Sequence, residues 1–468
     1  MVLNLKSGKI DGRQADLSHF SLSRSSLERK RSSNRSVMME EAMEDFKHKK
    51  PDMAALHWDG KLIKDVTGTL RENEAILVSG SPNYVEGKLL AVSVLENKDG
   101  EATSTGEAQA LAVSEEVKRW GLEKNIVAFV FDTTASNTGV SKGATVRLQK
   151  YLERPIVFLG CRHHVSELIV KACWYAIFED DLSPDCKFFA TIKGEWKSLD
   201  TGSEVPITIL PPDIPGREEA LEFLRKLLVS KNKRDKVMVR DDYRELGECA
   251  MVLLGEKPPQ GNFTWKKPGA CHKARFMAYG IYSLKALAFC DQLELGDDTI
   301  TGLKQFCTFT TTIYIPHFVS SSIGCDSPVN DIQLFKKLFK YRQLDSQLAE
   351  EALVVLRRHG WYLVPEVVVF SLFSSKITLE EKSRIASRLL TMKVTIPKTF
   401  KLEKPKFSQV NENTELVDLV TPSSFKFFSI LSLGCQWLEV NPDKWEDDMD
   451  YWSAREFVKT MKVTNDVA

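Results

Sequence analysis

The feature that most constrains the fold is a six-residue apolar run, Ile126–Phe131, that ends on Asp132 and then breaks into Thr-Thr-Ala-Ser-Asn. An unbroken run of β-forming and small apolar residues makes a strand covered on both faces, not one with a wet side. Such strands belong to sheets with helices packed against them, which points to an α/β protein. A carboxylate inside the run would be costly without a partner. At the exit, Asp132 can sit at the lip of the sheet, fixed by the core and still open to water, metal or substrate. The functional question is which other acids share that lip.

The flanking segments alternate in period. Residues 54–63, 74–80 and 88–97 carry strand patterns, the last two joined by the turn-rich "SPNYVEG". Residues 105–122 have apolar residues at helical spacing, 138–152 give a second helix, 155–161 a short fifth strand and 163–178 a third helix. The order β-β-β-α-β-α-β-α is that of the ribonuclease H-like fold, an α/β mixed sheet, although other mixed sheets share parts of it. Residues 51–178 form this expected core. Residues 179–360 read as a large, mostly α-helical insertion, 361–392 as helices returning to the core, and 393–468 as a C-terminal segment. That segment opens with a Pro/Lys/Asn-rich surface loop. It stops at "VTNDVA" within what reads as a continuing helix, the pattern of a truncated chain. Residues 1–50 read as a basic, disordered arm to Ser36 followed by a helix that Pro51 closes.

Charge narrows the partners. Lys plus Arg and Asp plus Glu both number 64, so nothing global draws the chain to nucleic acid, and contact must rest on local patches. One such patch is "RKLLVSKNKRDKVMVR" at 225–240, with seven bases against Asp235, among them Lys231, Lys233 and Arg234. Another is "SRSSLERKRSSNRS" at 23–36, with five bases against one acid; it is either a solvated tail or a phosphate-contacting or nuclear-import arm. Nine cysteines without framework spacing, behind a start that lacks an apolar leader, suit reduced thiols in the nucleus or cytoplasm. No window is apolar enough for a membrane span, so no membrane partner is expected.

Asp59 lies in the first strand, in "LHWDGK". If the first and fourth strands are neighbours, Asp59 and Asp132 meet where two carboxylates can share Mg²⁺ or Mn²⁺, the hard cations that oxygen ligands favour. A metal pair so held clamps the attacking and leaving oxygens of a phosphoryl transfer. A third acid would complete the set. Glu107 can point inward from the first turn of the first helix; its alternative is an ordinary first-turn charge favoured by the helix dipole. Glu366, in "WYLVPEVVVF", follows a Pro helix start amid apolar residues, with the same alternative. Cys161 and His164 have Cys-x-x-His spacing, which supplies two of the four ligands zinc needs. A buried thiol and a hydrogen-bonded histidine are the expectation, and zinc is not.

Together these segments resemble the hAT-superfamily transposases, and more closely a set of invertebrate transposon-derived proteins: "HWDGK", "TGEAQA", "FDTTASNTG", "CRHH" and "WYL" occur in order from residue 54 onward. The resemblance implies that Asp59 is the first catalytic acid, Asp132 in "DTTASN" the second, Cys161 and His164 the pair that opens the helical insertion, and Glu366 the third acid beyond it. Arg275 stands at the family's Arg-Trp motif, with Phe276 where Trp is usual. No paired Cys/His finger precedes Asp59, so the usual DNA-end reader is not found there. The implied function is a metal-dependent DNA cleavage and strand-transfer core, possible as a homo-oligomer, decayed or domesticated. A ribonuclease H-type hydrolase using Asp59, Glu107 and Asp132, and a non-catalytic nucleic-acid or protein scaffold, are the competing functions.

Overall fold

The computed structural model describes residues 9–10, 13–14, 24–64, 68–96, 103–179, 186–202, 205–229, 240–259, 261, 263–269, 275–392, 407 and 410–465. The chain divides into two units, Met1–Lys50 and Pro51–Ala468. In the first, Lys9–Ile10 pairs with Arg13–Gln14, and one helix runs Arg24–Lys49. The helix therefore begins inside the segment expected to be a disordered arm, well before Val37. Residues 24–36 are polar apart from Leu27, but they contain no Pro or Gly to stop a helix from propagating.

The second unit is built on a five-stranded mixed sheet: β1 Ala54–Lys64, β2 Leu70–Gly80, β3 Tyr84–Val94, β4 Ile126–Phe131 and β5 Val157–Gly160. The spatial order is β3-β2-β1-β4-β5. The pairs β1–β2 and β2–β3 are antiparallel, while β1–β4 and β4–β5 are parallel. All six residues of β4 are buried, as an unbroken apolar run requires. Trp58 of β1 stacks on Phe131 at 5.6 Å and meets Phe129 edge-on at 5.4 Å, so an aromatic layer fixes β1 against β4.

Three helices alternate with the parallel strands: α1 Gly106–Arg119, α2 Ala144–Leu152 and α3 Arg162–Phe178. α2 starts at Ala144 rather than at residue 138. A Cβ on Gly143 would lie 2.5 Å from the Asn137 carbonyl oxygen, so the chain folds tightly back on itself there before the helix begins.

Most of the remaining described residues are helical: α4 Lys187–Glu195, α5 Arg217–Val229, α6 Asp241–Leu253, α7 Arg275–Ala288, α8 Asp297–Phe309, α9 Ser327–Tyr341, α10 Ser346–His359, α11 Leu379–Leu390 and α12 Met449–Thr460. Trp174 of α3 joins this helical part to the sheet region, packed among Phe178, Phe189, Tyr279 and Phe306. The segment around Glu366 is not the long helix expected. One α-turn, Pro365–Val368, gives way to a 3₁₀ stretch, Val369–Phe373, because three consecutive β-branched valines crowd a regular helix.

The chain past residue 425 is packed rather than trailing. Trp437, Trp445 and Tyr451 are buried together, and the Tyr451 hydroxyl donates to the Leu372 carbonyl. The expected continuing helix ends at Thr460. Beyond it the chain extends across the sheet end: Lys462 bridges to Ile323, and the Arg162 amide donates to the Val463 carbonyl at 3.0 Å. Among the described residues no helix is long and apolar enough to cross a membrane, and the eight described cysteines are free thiols.

Candidate functional site

Register creates the site. Trp58 is paired with Phe131 across the parallel β1–β4 ladder, and the next residue on each chain is an acid, Asp59 or Asp132. Equivalent positions on parallel neighbours face the same side, so the two carboxyls leave the sheet together. The carboxyl of Asp132 is held well above the ordinary carboxylate range. Loss of water does most of this, and the charges of Asp59 and Glu167, with a hydrogen-bond contact to Asp59, add to it against the pull of Lys61. Both acids remain reachable: their side chains are 15 % (Asp59) and 27 % (Asp132) exposed.

Two elements supply the surroundings. Lys61, two residues after Asp59 and so on the same face of β1, places Nζ 2.5 Å from Asp59 Oδ2. From the first turns of α3, His164 Nδ1 lies 3.6 Å from Asp132 Oδ2 and 3.9 Å from Glu167 Oε2. The turn after Asp132 is fixed by Asn137, whose Nδ2 donates to the Asp132 carbonyl at 3.0 Å and whose Oδ1 accepts from Trp58 Nε1 at 2.7 Å. The backbone at Asp132 therefore cannot shift without breaking contacts to the aromatic layer. At the end of β5, Gly160 lets Trp361 lie directly on the strand. A Cβ there would come within 2.4 Å of the indole, and the Tyr362 hydroxyl donates to the Gly160 carbonyl at 2.9 Å.

The expected residues divide into those that converge and those that do not. Asp59, Asp132 and His164 converge. Cys161 is buried at the cap of α3, where its amide donates to the Phe131 carbonyl at 2.8 Å and its Sγ accepts from the Asn465 amide at 3.4 Å. It thus serves the backbone, while His164 faces the acids. Glu366 is engaged with Lys426, Oε1 to Nζ 2.6 Å, whereas the charged groups that act most on Asp132 are Asp59, Glu167 and Lys61. Glu107 is exposed at the start of α1 and faces Arg147 at 3.5 Å. Arg275 opens α7. Lys231, Lys233 and Arg234 lie outside the described residues.

Sequence reasoning passed over two acids. Glu167 was findable: it stands one helical turn after His164 on the helix that follows the fifth strand. Glu74 was not, since an acid at the start of an apolar strand looks like a turn residue. It is fully buried, and neither carboxyl oxygen has a hydrogen-bond partner among the described residues. Burial pushes its carboxyl up to about 8, with Asp59, Asp132 and Glu72 adding to the rise. Glu74 pairs with Gly60 and Asp59 with Ala75, so Glu74 faces the opposite side of the sheet from Asp59. It is a proton-bearing group behind the site rather than a member of it.

The donor set of Asp59, Asp132 and Glu167 is oxygen-only and carboxylate-rich, which suits a hard divalent cation. Among the described residues, however, no group of three or more His, Cys, Asp or Glu side chains is arranged to hold a metal ion as it stands. Asp59 and Glu167 both act on the Asp132 carboxyl and the Lys61 ammonium opposes them, a charge set that a hard cation would neutralise. No protein-family model matches the chain, and no curated protein matches it.

Proposed function

We propose that the second unit is a ribonuclease H-like, transposase-derived core that cleaves DNA phosphodiesters with a divalent cation. One observation carries this reading: the carboxyl of Asp59, in the middle of β1, and that of Asp132, just past the end of the parallel strand β4, meet on one face and remain open to solvent. Carboxyls so placed cannot both ionise without cost, and a bound cation would give the pair a use. The strand order β3-β2-β1-β4-β5, with helices between the parallel strands, supports the same assignment.

Asp59 and Asp132 would hold Mg²⁺ or Mn²⁺, and Glu167 takes the third place in preference to Glu366. When bound, the ion supplies Lewis-acid activation of the attacking oxygen and the scissile phosphate. His164 Nδ1 stands 3.6 Å from Asp132 Oδ2 and 3.9 Å from Glu167 Oε2, where a proton on that nitrogen would be shared between the two carboxyls. Lys61 carries the remaining positive charge at the edge of the site, where a phosphate oxygen would arrive.

A second reading rests on Lys61 as well. An ammonium 2.5 Å from Asp59 can serve as a permanent counter-ion, and the unit would then be a non-catalytic scaffold. Purified protein incubated with Mg²⁺ or Mn²⁺ on duplex DNA and on an RNA–DNA hybrid separates the cases. Cleavage of duplex, lost in Asp132→Asn, is expected. Preference for the hybrid would move the assignment to a ribonuclease H-type hydrolase. If neither substrate is cut and no Mn²⁺ binds even after Lys61→Met, the scaffold stands.

A further inference from the structure

The two halves of the helix Arg24–Lys49 treat their charges differently. In the C-terminal half the charges answer one another along the helix: Glu44 pairs with Lys47 at 2.6 Å and faces His48 at 3.8 Å, and Asp45 pairs with Lys49 at 2.6 Å. In the N-terminal half Arg29, Lys30, Arg31 and Arg35 are all exposed and have no ion-pair partner among the described residues. These bases also sit toward the positive end of the helix dipole, and the first turn contains no acid to offset them. Residues 28–36 contain no apolar side chain, so no hydrophobic packing can cover this half. Glu28 is its one acid, against these four bases and Arg24.

We infer that the N-terminal half of this helix is a docking surface for the phosphate backbone of duplex DNA. A helix about 10–12 Å across fits a B-form major groove about 12 Å wide. There the four unpaired bases can reach phosphates on the groove walls, and the phosphates relieve the unfavourable charge at the helix start. The contact is to backbone and carries no sequence information. The choice of DNA as the polyanion rests on the function proposed above; the cationic surface itself does not.

Binding of the full chain to a fluorescent duplex is followed by anisotropy in EDTA, from about 50 to about 200 mM salt. The variant Arg29→Gln/Lys30→Gln/Arg31→Gln/Arg35→Gln should bind more weakly, its slope of log K against log salt shallower by about three to four, since each lost phosphate contact removes about 0.9. The charge-preserving variant Arg29→Lys/Arg31→Lys/Arg35→Lys should keep the wild-type slope. A wild-type slope in the glutamine variant overturns the inference. So does tighter binding to an RNA duplex, whose deep, narrow major groove excludes a helix. The titration contains no divalent ion and is blind to Asp59 and Asp132. It can therefore fail while the cleavage core stands, and Asp132→Asn decides that core separately.

Discussion

Two charged clusters lie near the start of α3, and they are opposites. On one side Arg162 NH2 meets Asp331 Oδ1 at 2.6 Å, with side chains only 2 % and 5 % exposed. The guanidinium lies 4.8 Å over the Tyr362 ring and its NH1 donates to the Ser327 carbonyl. That cluster is neutral overall and sealed, and it ties α3 to α9 and to the 361–363 turn. On the other side Asp59, Asp132 and Glu167 are all acids with Lys61 at one edge; Asp59 and Asp132 stay open to solvent, and burial together with the neighbouring acids holds the Asp132 carboxyl well above its ordinary range. Opposite charges in a dry place serve architecture, because removing either one strands the other. Acids crowded together in a half-wet place do not help the fold, which is a reason to propose chemistry for them.

The largest effect should come from breaking the open cluster. Asp132→Asn is expected to abolish metal-dependent cleavage while leaving the melting temperature unchanged or higher, because a carboxyl that burial and neighbouring acids disfavour is replaced by a neutral amide. Full activity in this variant would remove the proposed site. Next comes the sealed cluster: Arg162→Met should cost about 3–5 kcal/mol in urea unfolding, since Asp331 is left buried and uncompensated. Pairing it with Asp331→Leu should recover most of that loss, and a paired variant as unstable as the single one would show that the salt link is not the cause.

Glu74 sharpens the contrast through pH. Its carboxyl keeps a proton in the folded state up to about 8, whereas the unfolded chain releases it near the ordinary glutamate value of 4.5. Between those values the folded state binds more protons, so stability falls as pH rises. Relative to Glu74→Gln, the wild type should lose up to about 1.4 kcal/mol per pH unit across that window. Parallel stability–pH curves for the two proteins would mean that Glu74 ionises freely and is not held as the fold suggests. The smallest effect belongs to the third acid. Glu366→Gln should leave cleavage unchanged and cost at most about 1 kcal/mol through its part-exposed pair with Lys426. Glu167→Gln should impair cleavage strongly, and the reverse pattern would restore Glu366 to the site.

Much of the sheet region was legible because local chemistry dictates it. The run Ile126–Phe131 had to be buried on both faces, and the strand and helix periods around it placed most elements within a few residues of where they lie. Asp59 and Asp132 could be picked out because each interrupts an apolar stretch. The N-terminal helix was misjudged because polar residues set no period, and the Val367–Val369 segment because apolar residues at helical spacing do not report the crowding of adjacent valines.

The sequence by itself determined that a carboxylate stands at the exit of a buried strand, since hydrophobic period is a property of neighbours along the chain. Which charges gather around that carboxylate was decided only by the fold. Lys426 reaches Glu366 across 60 residues, the Asn465 amide reaches Cys161 across 304, and Glu167 rather than Glu366 acts on Asp132. Coulomb interactions depend on distance in space and on the water excluded from between the groups. Neither quantity is written in the order of residues; both are set when the chain packs.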